Sequence, residues 1–437
     1  MKYAILCMGL LWACLASAQI DVGGMVKNKV NQRIEQKTNQ AIDKTLDETE
    51  KGVKDAAKGN KKGKSKSNEG DAPQGEKTEE SSSDNANIKK SLTTYSKFDF
   101  VPGEKVLILD QFENVAVGDY PVDWNTNGTA EIVTVDGVDG KWLQLVKEGV
   151  FMPDYITDLP ENFTLQFDVI ANQEFNYYSD WFRVTFLSTQ NRAKLNDFGK
   201  FSNPQNAVRF AMHPRNAGSS AGGVAFENWN ENGESLLKNE LNTTQFFVPN
   251  NNMVRISVWR QKQRLRVYFN EEKVLDIPRA FSATAKYNAT SFNFGGSADN
   301  TDKILIGNIR LAVGAPDTRS KLITEGKLVT RGILFDVGSD QIKPESYGTI
   351  KEIANVLKEN PDVKVQIIGH TDGDGDEAAN LELSKKRAAA VKAFIEKEFG
   401  IEASRLTTDG KGESQPADSN ASAVGKANNR RVEFIKI

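Results

Sequence analysis

The chain has 437 residues, a formal net charge of -3, 38% hydrophobic residues, two cysteines and two histidines. That length leaves room for two or three domains, and the near-neutral balance excludes a chain-wide polybasic surface for nucleic acid. Both cysteines, Cys7 and Cys14, fall in the N-terminal apolar segment, so a chain that has lost this segment holds neither a disulfide nor a thiolate metal site.

Lys2, the apolar run from Ala4 to Leu15, and the small residues Ala16-Ser17-Ala18 before Gln19 read as a secretory signal peptide over residues 1–18. Leu11-Trp12-Ala13-Cys14 also has the outline of a lipobox, whose cysteine is acylated. Trp12 is bulky where that motif takes a small residue, and apolar sequence continues past Cys14, so cleavage before Gln19 is the expectation. Beyond it no window approaches the roughly 20 consecutive apolar residues of a spanning helix.

Residues 19–58 place Val22, Val26, Val30, Ile34, Ile42, Leu46 and Val53 near helical spacing, interrupted by Thr38 and Thr49. This predicts a weakly amphipathic helical spacer, about 45 Å long for some 30 residues, with a coiled coil or a surface-lying anchor as the alternative. Lys51 to Lys66 carries seven lysines against Asp55, and Glu69 to Asp84 carries six acids against Lys77. Such blocks bury no core, and residues 59–97 read as a disordered, charged linker that works as a tether.

Over residues 98–318 the apolar period changes to two. Phe163 to Val169 alternates, as do Val254 to Val258 and Leu265 to Phe269, the last two joined by a turn at Gln261-Lys262-Gln263. Lys105 to Leu109, Trp142 to Val146, Trp181 to Leu187, Ala207 to Met212, Phe292 to Gly295 and Ile304 to Val313 are further strands. Many short strands between Asn/Gly/Asp/Pro-rich loops predict an antiparallel β-sandwich, large enough for a jelly roll. Asp110 to Phe112, Gly118 to Trp124 and Phe163 to Val169 resemble the concanavalin, lectin-like fold in pattern. Most tryptophans here fit core positions. Trp229, between Asn228 and Asn230, and the pair Tyr177-Tyr178 are the candidates for a sugar-stacking platform. His213 and His370 have no partner set for a zinc site or a triad, and the E-x-D-x-x-E run of two-carboxylate glycosidases is absent, which argues against an enzyme.

Residues 319–437 alternate element types. Val329 to Phe335, Val363 to Ile368, Leu406 to Gly410 and Arg431 to Ile437 read as strands, with helices at Pro344 to Lys358 and Glu377 to Phe399. The order βαβαββ predicts an α+β sheet with helices packed on it. Asp372 falls in the loop between a strand and the long helix, and Asn380, Ser384 and Arg387 share one face of that helix. One carboxylate and one guanidinium at this spacing suit an amino-acid zwitterion: Asp372 takes the ammonium and Arg387 clamps the carboxylate. A simple ion pair between loop and helix is the alternative.

The motifs Gly369-His370-Thr371-Asp372, then Asn380, Leu383-Ser384 and Arg387-Ala388, and finally Asn429-Arg430-Arg431-Val432-Glu433 stand in the order and spacing of a known module. From about Leu328 to Ile437 the chain resembles the OmpA-like C-terminal domain found in outer-membrane porins, the Pal lipoprotein and flagellar stator proteins. The resemblance implies peptidoglycan as partner, held at its diaminopimelate residue by Asp372 and Arg387. Thr371 and Asn380 would then be supporting polar groups, and Arg430 or Arg431 would line or brace the pocket. It also implies a cell-envelope location, in the periplasm or at the outer membrane, with no cofactor. Asp374, Asp376 and Glu377 make this loop unusually acidic, which strengthens ammonium binding or weakens carboxylate binding. Asp372-Gly-Asp374-Gly-Asp376 is not a calcium loop, because Glu377 stands where an EF-hand needs Gly, and Gly410-Lys-Gly412 lacks the setting of a dinucleotide site. The resulting expectation is a non-catalytic peptidoglycan anchor. Its rival is a carbohydrate-binding or adhesive protein whose sandwich meets a glycan or an envelope protein, the C-terminal domain only localising it.

Overall fold

The computed structural model describes residues 98–194, 204–214, 221–248, 250–295, 301–314 and 318–437. The signal peptide, helical spacer and charged linker expected upstream lie outside the described residues. No helix of the described residues is long and apolar enough to cross a membrane.

From Lys105 to Val313 the chain builds two open antiparallel sheets. In chain order the strands are β1 (Lys105–Asp110), β2 (Trp124–Thr126), β3 (Thr129–Val135), β4 (Val138–Lys147), β5 (Gly149–Pro153), β6 (Asn162–Ala171), β7 (Phe182–Leu187) and β8 (Val208–His213). They continue as β9 (Gly222–Trp229), β10 (Ser235–Thr243), β11 (Met253–Gln261), β12 (Arg264–Phe269), β13 (Glu272–Ile277), β14 (Ala289–Phe294) and β15 (Ile304–Val313). One sheet runs β13-β12-β11-β6-β15-β4-β3, with β1 also paired to β15; the other runs β10-β9-β8-β7-β14-β5-β2. Phe163, Leu165 and Phe167 of β6 and Phe182, Val184 and Phe186 of β7 enter one shared core. Each such side chain stabilises the pairing of the sheets by roughly 1.5–3 kcal/mol. The period-two pattern is thus the signature of two sheets facing each other.

The polar residues that alternate with this core are also buried. On the outer face of β6, Thr164, Gln166 and Asp168 are covered. Asp168 is held bidentately by Arg255 at 2.7 and 2.8 Å and receives Asn308 Nδ2 at 2.8 Å. Phe98 and Phe100 close part of this face against Trp259 and Tyr268. Trp124, Trp142, Trp229 and Trp259 are all buried. Trp229, the best candidate for a sugar platform, lies in a core cluster with Arg209 stacked 4.9 Å from its ring centroid, which removes it from that role.

The C-terminal part adds β16 (Lys327–Thr330), α1 (Tyr347–Glu359), β17 (Val365–His370), α2 (Glu377–Phe399), β18 (Leu406–Gly412), α3 (Ala423–Asn429) and β19 (Val432–Lys436). The sheet order is β16-β19-β17-β18, mixed, with β17 and β18 parallel. The expected βαβαββ order is present with the short helix α3 added before the last strand. The first strand is shorter than expected: after Thr330 its hydroxyl accepts from Gly332 N at 3.0 Å, and Phe335 makes only a bridge to Ile342. At Gly332 the backbone passes so close to Pro102 and Thr349 that a Cβ would collide with both.

Helix α2 begins where Asp376 accepts from Ala379 N at 3.0 Å and ends at Gly400, whose φ of 68° is the left-handed conformation of a C-terminal cap. It buries Ala388, Val391 and Ile395 in the second core, against Val365 and Ile367 of β17. A Cβ on Gly369 would strike the backbone of Ser384, so the glycine of the Gly-His-Thr-Asp run lets this helix lie against the strand.

The two-sheet region and the C-terminal region are bonded to each other. Asn428 exchanges two hydrogen bonds with the backbone of Val106, at 3.1 and 3.2 Å. Lys321 pairs with Glu104 at 2.6 Å, and Glu345 lies 3.6 Å from Arg255.

Candidate functional site

His370 ends β17, and Thr371 and Asp372 follow it into the loop before α2. The Asp372 carboxylate is only 14% exposed and is in direct ion contact with the Arg430 guanidinium, while Asp374 N donates to it at 3.3 Å. Asn380 pins the loop: its Nδ2 donates to Asp374 O at 2.9 Å and to Glu413 at 2.6 Å. Asn420 accepts from Gly373 N at 3.0 Å. Thr371 is buried and its amide reaches Gly412 O at 3.0 Å, but its hydroxyl has no partner among the described residues.

The acidic character of the loop is partly consumed locally. Asp376 caps the helix, and Asp374 pairs with Lys426 at 2.7 Å. Asp372 is left as the acid facing arginine.

Arg387 does not bond to Asp372. Its Nε donates to Ser339 O at 2.9 Å, Nη2 lies 3.4 Å from Asp336 O, and the guanidinium stacks 4.9 Å from the Phe335 ring centroid. Nη1 has no protein acceptor among the described residues. Burial pulls the guanidinium below its ordinary pKa, opposed by Asp372 and reinforced by Arg430. The segment Phe335–Ser339 that holds it begins at the residue where the sequence pattern ends the first strand. An aromatic followed by Asp-Val-Gly-Ser marks a turn, but nothing in it announces that its carbonyls orient an arginine.

Arg431 points inward. Its Nε donates to Glu433 at 2.9 Å and Nη2 to Gln415 O at 3.0 Å, making it a brace. Glu433 also meets Lys327 at 2.7 Å and His370 at 3.5 Å. The His370 ring, with Lys327 and Arg431, holds the Glu433 carboxyl well below the usual carboxylate range, against the opposing effect of burial.

Arg387 and Arg430 open on a cavity of about 200 Å³ beside the ends of β17 and β19. Its other basic walls are Arg331, after β16, Arg310 of β15 and the buried Arg431, with Leu109 of β1 adjoining. Arg331 spends its donors on the carbonyls of Asn428 and Glu104. Arg310 donates to Gln166 at 3.0 Å; burial, with Arg331, Arg430 and Arg255 nearby, pushes its pKa down to about 10. Neither makes an ion pair among the described residues. The Asp372 carboxylate, paired with Arg430 of the cavity wall, thus lies beside a cavity rich in guanidinium groups. The part played by Arg310 was not visible in the sequence, because it lies on a strand some 60 residues before the first motif.

The C-terminal part is thus a four-stranded mixed sheet with helices α1, α2 and α3, with Asp372, Arg387 and Arg430 near the ends of β17 and β19. Residues 334–430 match the model of the OmpA family, and this part of the chain is a domain of that family. Outer membrane porin F of Pseudomonas aeruginosa is 37% identical over 138 residues, 32% of this chain and 39% of the porin. The probable lipoprotein YiaD of Escherichia coli K12 is 43% identical over 102 residues, 23% of this chain and 46% of that protein. The chain therefore spans less than half the length of either relative. Among solved structures, the peptidoglycan-associated lipoprotein from Burkholderia pseudomallei is 26% identical, covering 24% of this chain and 88% of that one with a TM-score of 0.23.

Proposed function

We propose that the chain is a non-catalytic cell-envelope protein. Its C-terminal domain, residues 319–437, binds peptidoglycan at the diaminopimelate residue of the stem peptide. It thereby holds the two-sheet domain, residues 98–318, which we read as a concanavalin-like jelly roll, at the outer membrane or in the periplasm. The observation that carries this reading is the placement of Asp372 beside Arg430, next to a cavity that Arg387 also lines, in an OmpA-family domain.

Diaminopimelate ends its side chain in an ammonium and a carboxylate. The ammonium takes the place of Arg430 on Asp372, and the released guanidinium, with Nη1 of Arg387, receives the carboxylate. Asn380 holds the loop so that Asp372 keeps its position, and Arg431 keeps β19 in register beneath it. Two of the expected ligand residues, Asn380 and Arg431, thus act through the ones that touch ligand.

The test is co-sedimentation of the mature chain with purified sacculi. Asp372→Ala and Arg387→Ala should each keep the wild-type circular dichroism spectrum and bind at least about tenfold more weakly, the worth of one charge-assisted contact. Wild-type sedimentation by both variants would overturn the reading.

A further inference from the structure

β15 changes face part-way along. Ile304 and Ile306 enter the core shared by the two sheets, as alternate residues of a strand do, but beyond them it is Ile309 and Leu311 that enter it. A bulge makes the shift: between Gly307 and Arg310 the register against β6 slips, and Asn308 takes a φ of 53° while its amide is held by Asp168. Without the extra residue Arg310 would fall on the core side with Ile304 and Ile306. With it, Arg310 stands on the outer side and lines the cavity that Arg387 and Arg430 also line.

Five guanidinium groups line this cavity, and no aspartate or glutamate does. Arg430 is paired with Asp372, and Arg431 with Glu433. Arg310, Arg331 and Arg387 form no ion pair among the described residues: Arg310 meets the side-chain oxygen of Gln166, and the other two meet backbone carbonyls. The side-chain carboxylate of a bound diaminopimelate answers Arg387 and Arg430. It leaves Arg310 and Arg331, which repel each other, without a counter-charge. A cavity of about 200 Å³ is smaller than those that enclose drug-sized ligands, so the anion that answers them sits on the residue already bound. Diaminopimelate carries a second carboxylate at the other end of its carbon chain, free only where that residue ends its stem peptide.

We propose that Arg310, delivered by the bulge of β15, binds with Arg331 the main-chain carboxylate of a diaminopimelate residue that ends a trimmed stem peptide. The two-sheet domain thereby takes part in the choice of ligand. The proposal rests on the reading of this cavity as the diaminopimelate site and adds to it a preference for stems that end there.

The test is calorimetry of the protein with two stem peptides ending in diaminopimelate, identical except that the main-chain carboxylate is free in one and a carboxamide in the other. The wild type should bind the free acid at least about tenfold tighter, since the amide loses the charge and turns N–H donors toward guanidinium donors. Arg310→Met should bind the free acid about tenfold more weakly than wild type and the amide within a few-fold of it, so that the preference is lost. Thermal unfolding of the variant checks its fold. Equal wild-type affinity for the two peptides, a preference that survives in Arg310→Met, or a variant that weakens both peptides alike would overturn this proposal and leave the diaminopimelate reading standing. A wild type that binds neither peptide would overturn both.

Discussion

Arg310 is the residue whose placement is hardest to justify by stability alone. It is half-buried, its one hydrogen-bond acceptor is neutral Gln166, and Arg331, Arg430 and Arg255 repel it. A cation whose pKa is depressed in the folded state destabilises the fold wherever it remains charged. Arg310→Met should therefore raise stability at neutral pH by about 1 kcal/mol, discounted because the group keeps some contact with water. Thermal unfolding measures this, and a lowered transition temperature would show that the guanidinium is a net structural contributor. Arg387 shows the opposite arrangement: backbone carbonyls and the Phe335 ring fix it before any ligand arrives, so little side-chain freedom remains to be lost on binding.

At the scale of elements, β19 and β17 carry both the core and the electrostatics of the site. Ile367 and Phe434 pair across them in the core, while Glu433 pairs with Ile368 and gathers His370, Arg431 and Lys327. Glu433 has a folded pKa well below its ordinary value of 4.5, so its contribution to stability is fully present above pH 4.5 and is lost as pH falls from there towards the folded value. The transition temperature of the protein should fall over that acidic range. Glu433→Gln should flatten this dependence and cost about 3 kcal/mol at neutral pH, because Arg431 is then left buried without its carboxylate. An unchanged acid limb in the variant would place the pH sensitivity elsewhere.

The same elements mark what sequence reading reaches. Val365 to Ile368 and Leu265 to Phe269 announce strands because they are short, apolar and β-branched or alternating, and the caps of α2, Asp376 and Gly400, mark its ends. The strand expected through Phe335 stops at Thr330, since contacts with Pro102 and Thr349, distant in sequence, decide where the chain turns. Helix α3 carries no apolar stripe, its place being fixed by Asn428 and Asn429. β10, exposed on both faces with leucines at 236, 237 and 241, leaves no periodic pattern. Asp372 and Arg387 stand out in the sequence as an acid and an arginine at motif spacing; that Asp372 pairs with Arg430 instead, and that Arg310 and Arg331 extend the cavity, depends on packing between regions that no local pattern encodes.

For the whole molecule, the bonds from Asn428 to Val106 and from Lys321 to Glu104 mean that the two-sheet region does not hang loosely beside the OmpA-family domain; it forms a wall of the same cavity through Leu109 and Arg310. A ligand gripped at Asp372 is thereby coupled to the body the domain is proposed to anchor. We propose that both charges of the diaminopimelate side chain are read at once. The decisive measurement is calorimetry of the protein with two stem peptides, one carrying diaminopimelate and the other lysine, which keeps the ammonium and lacks the side-chain carboxylate. The account predicts binding of the diaminopimelate peptide at least about tenfold tighter than the lysine peptide; equal affinity for the two would contradict it.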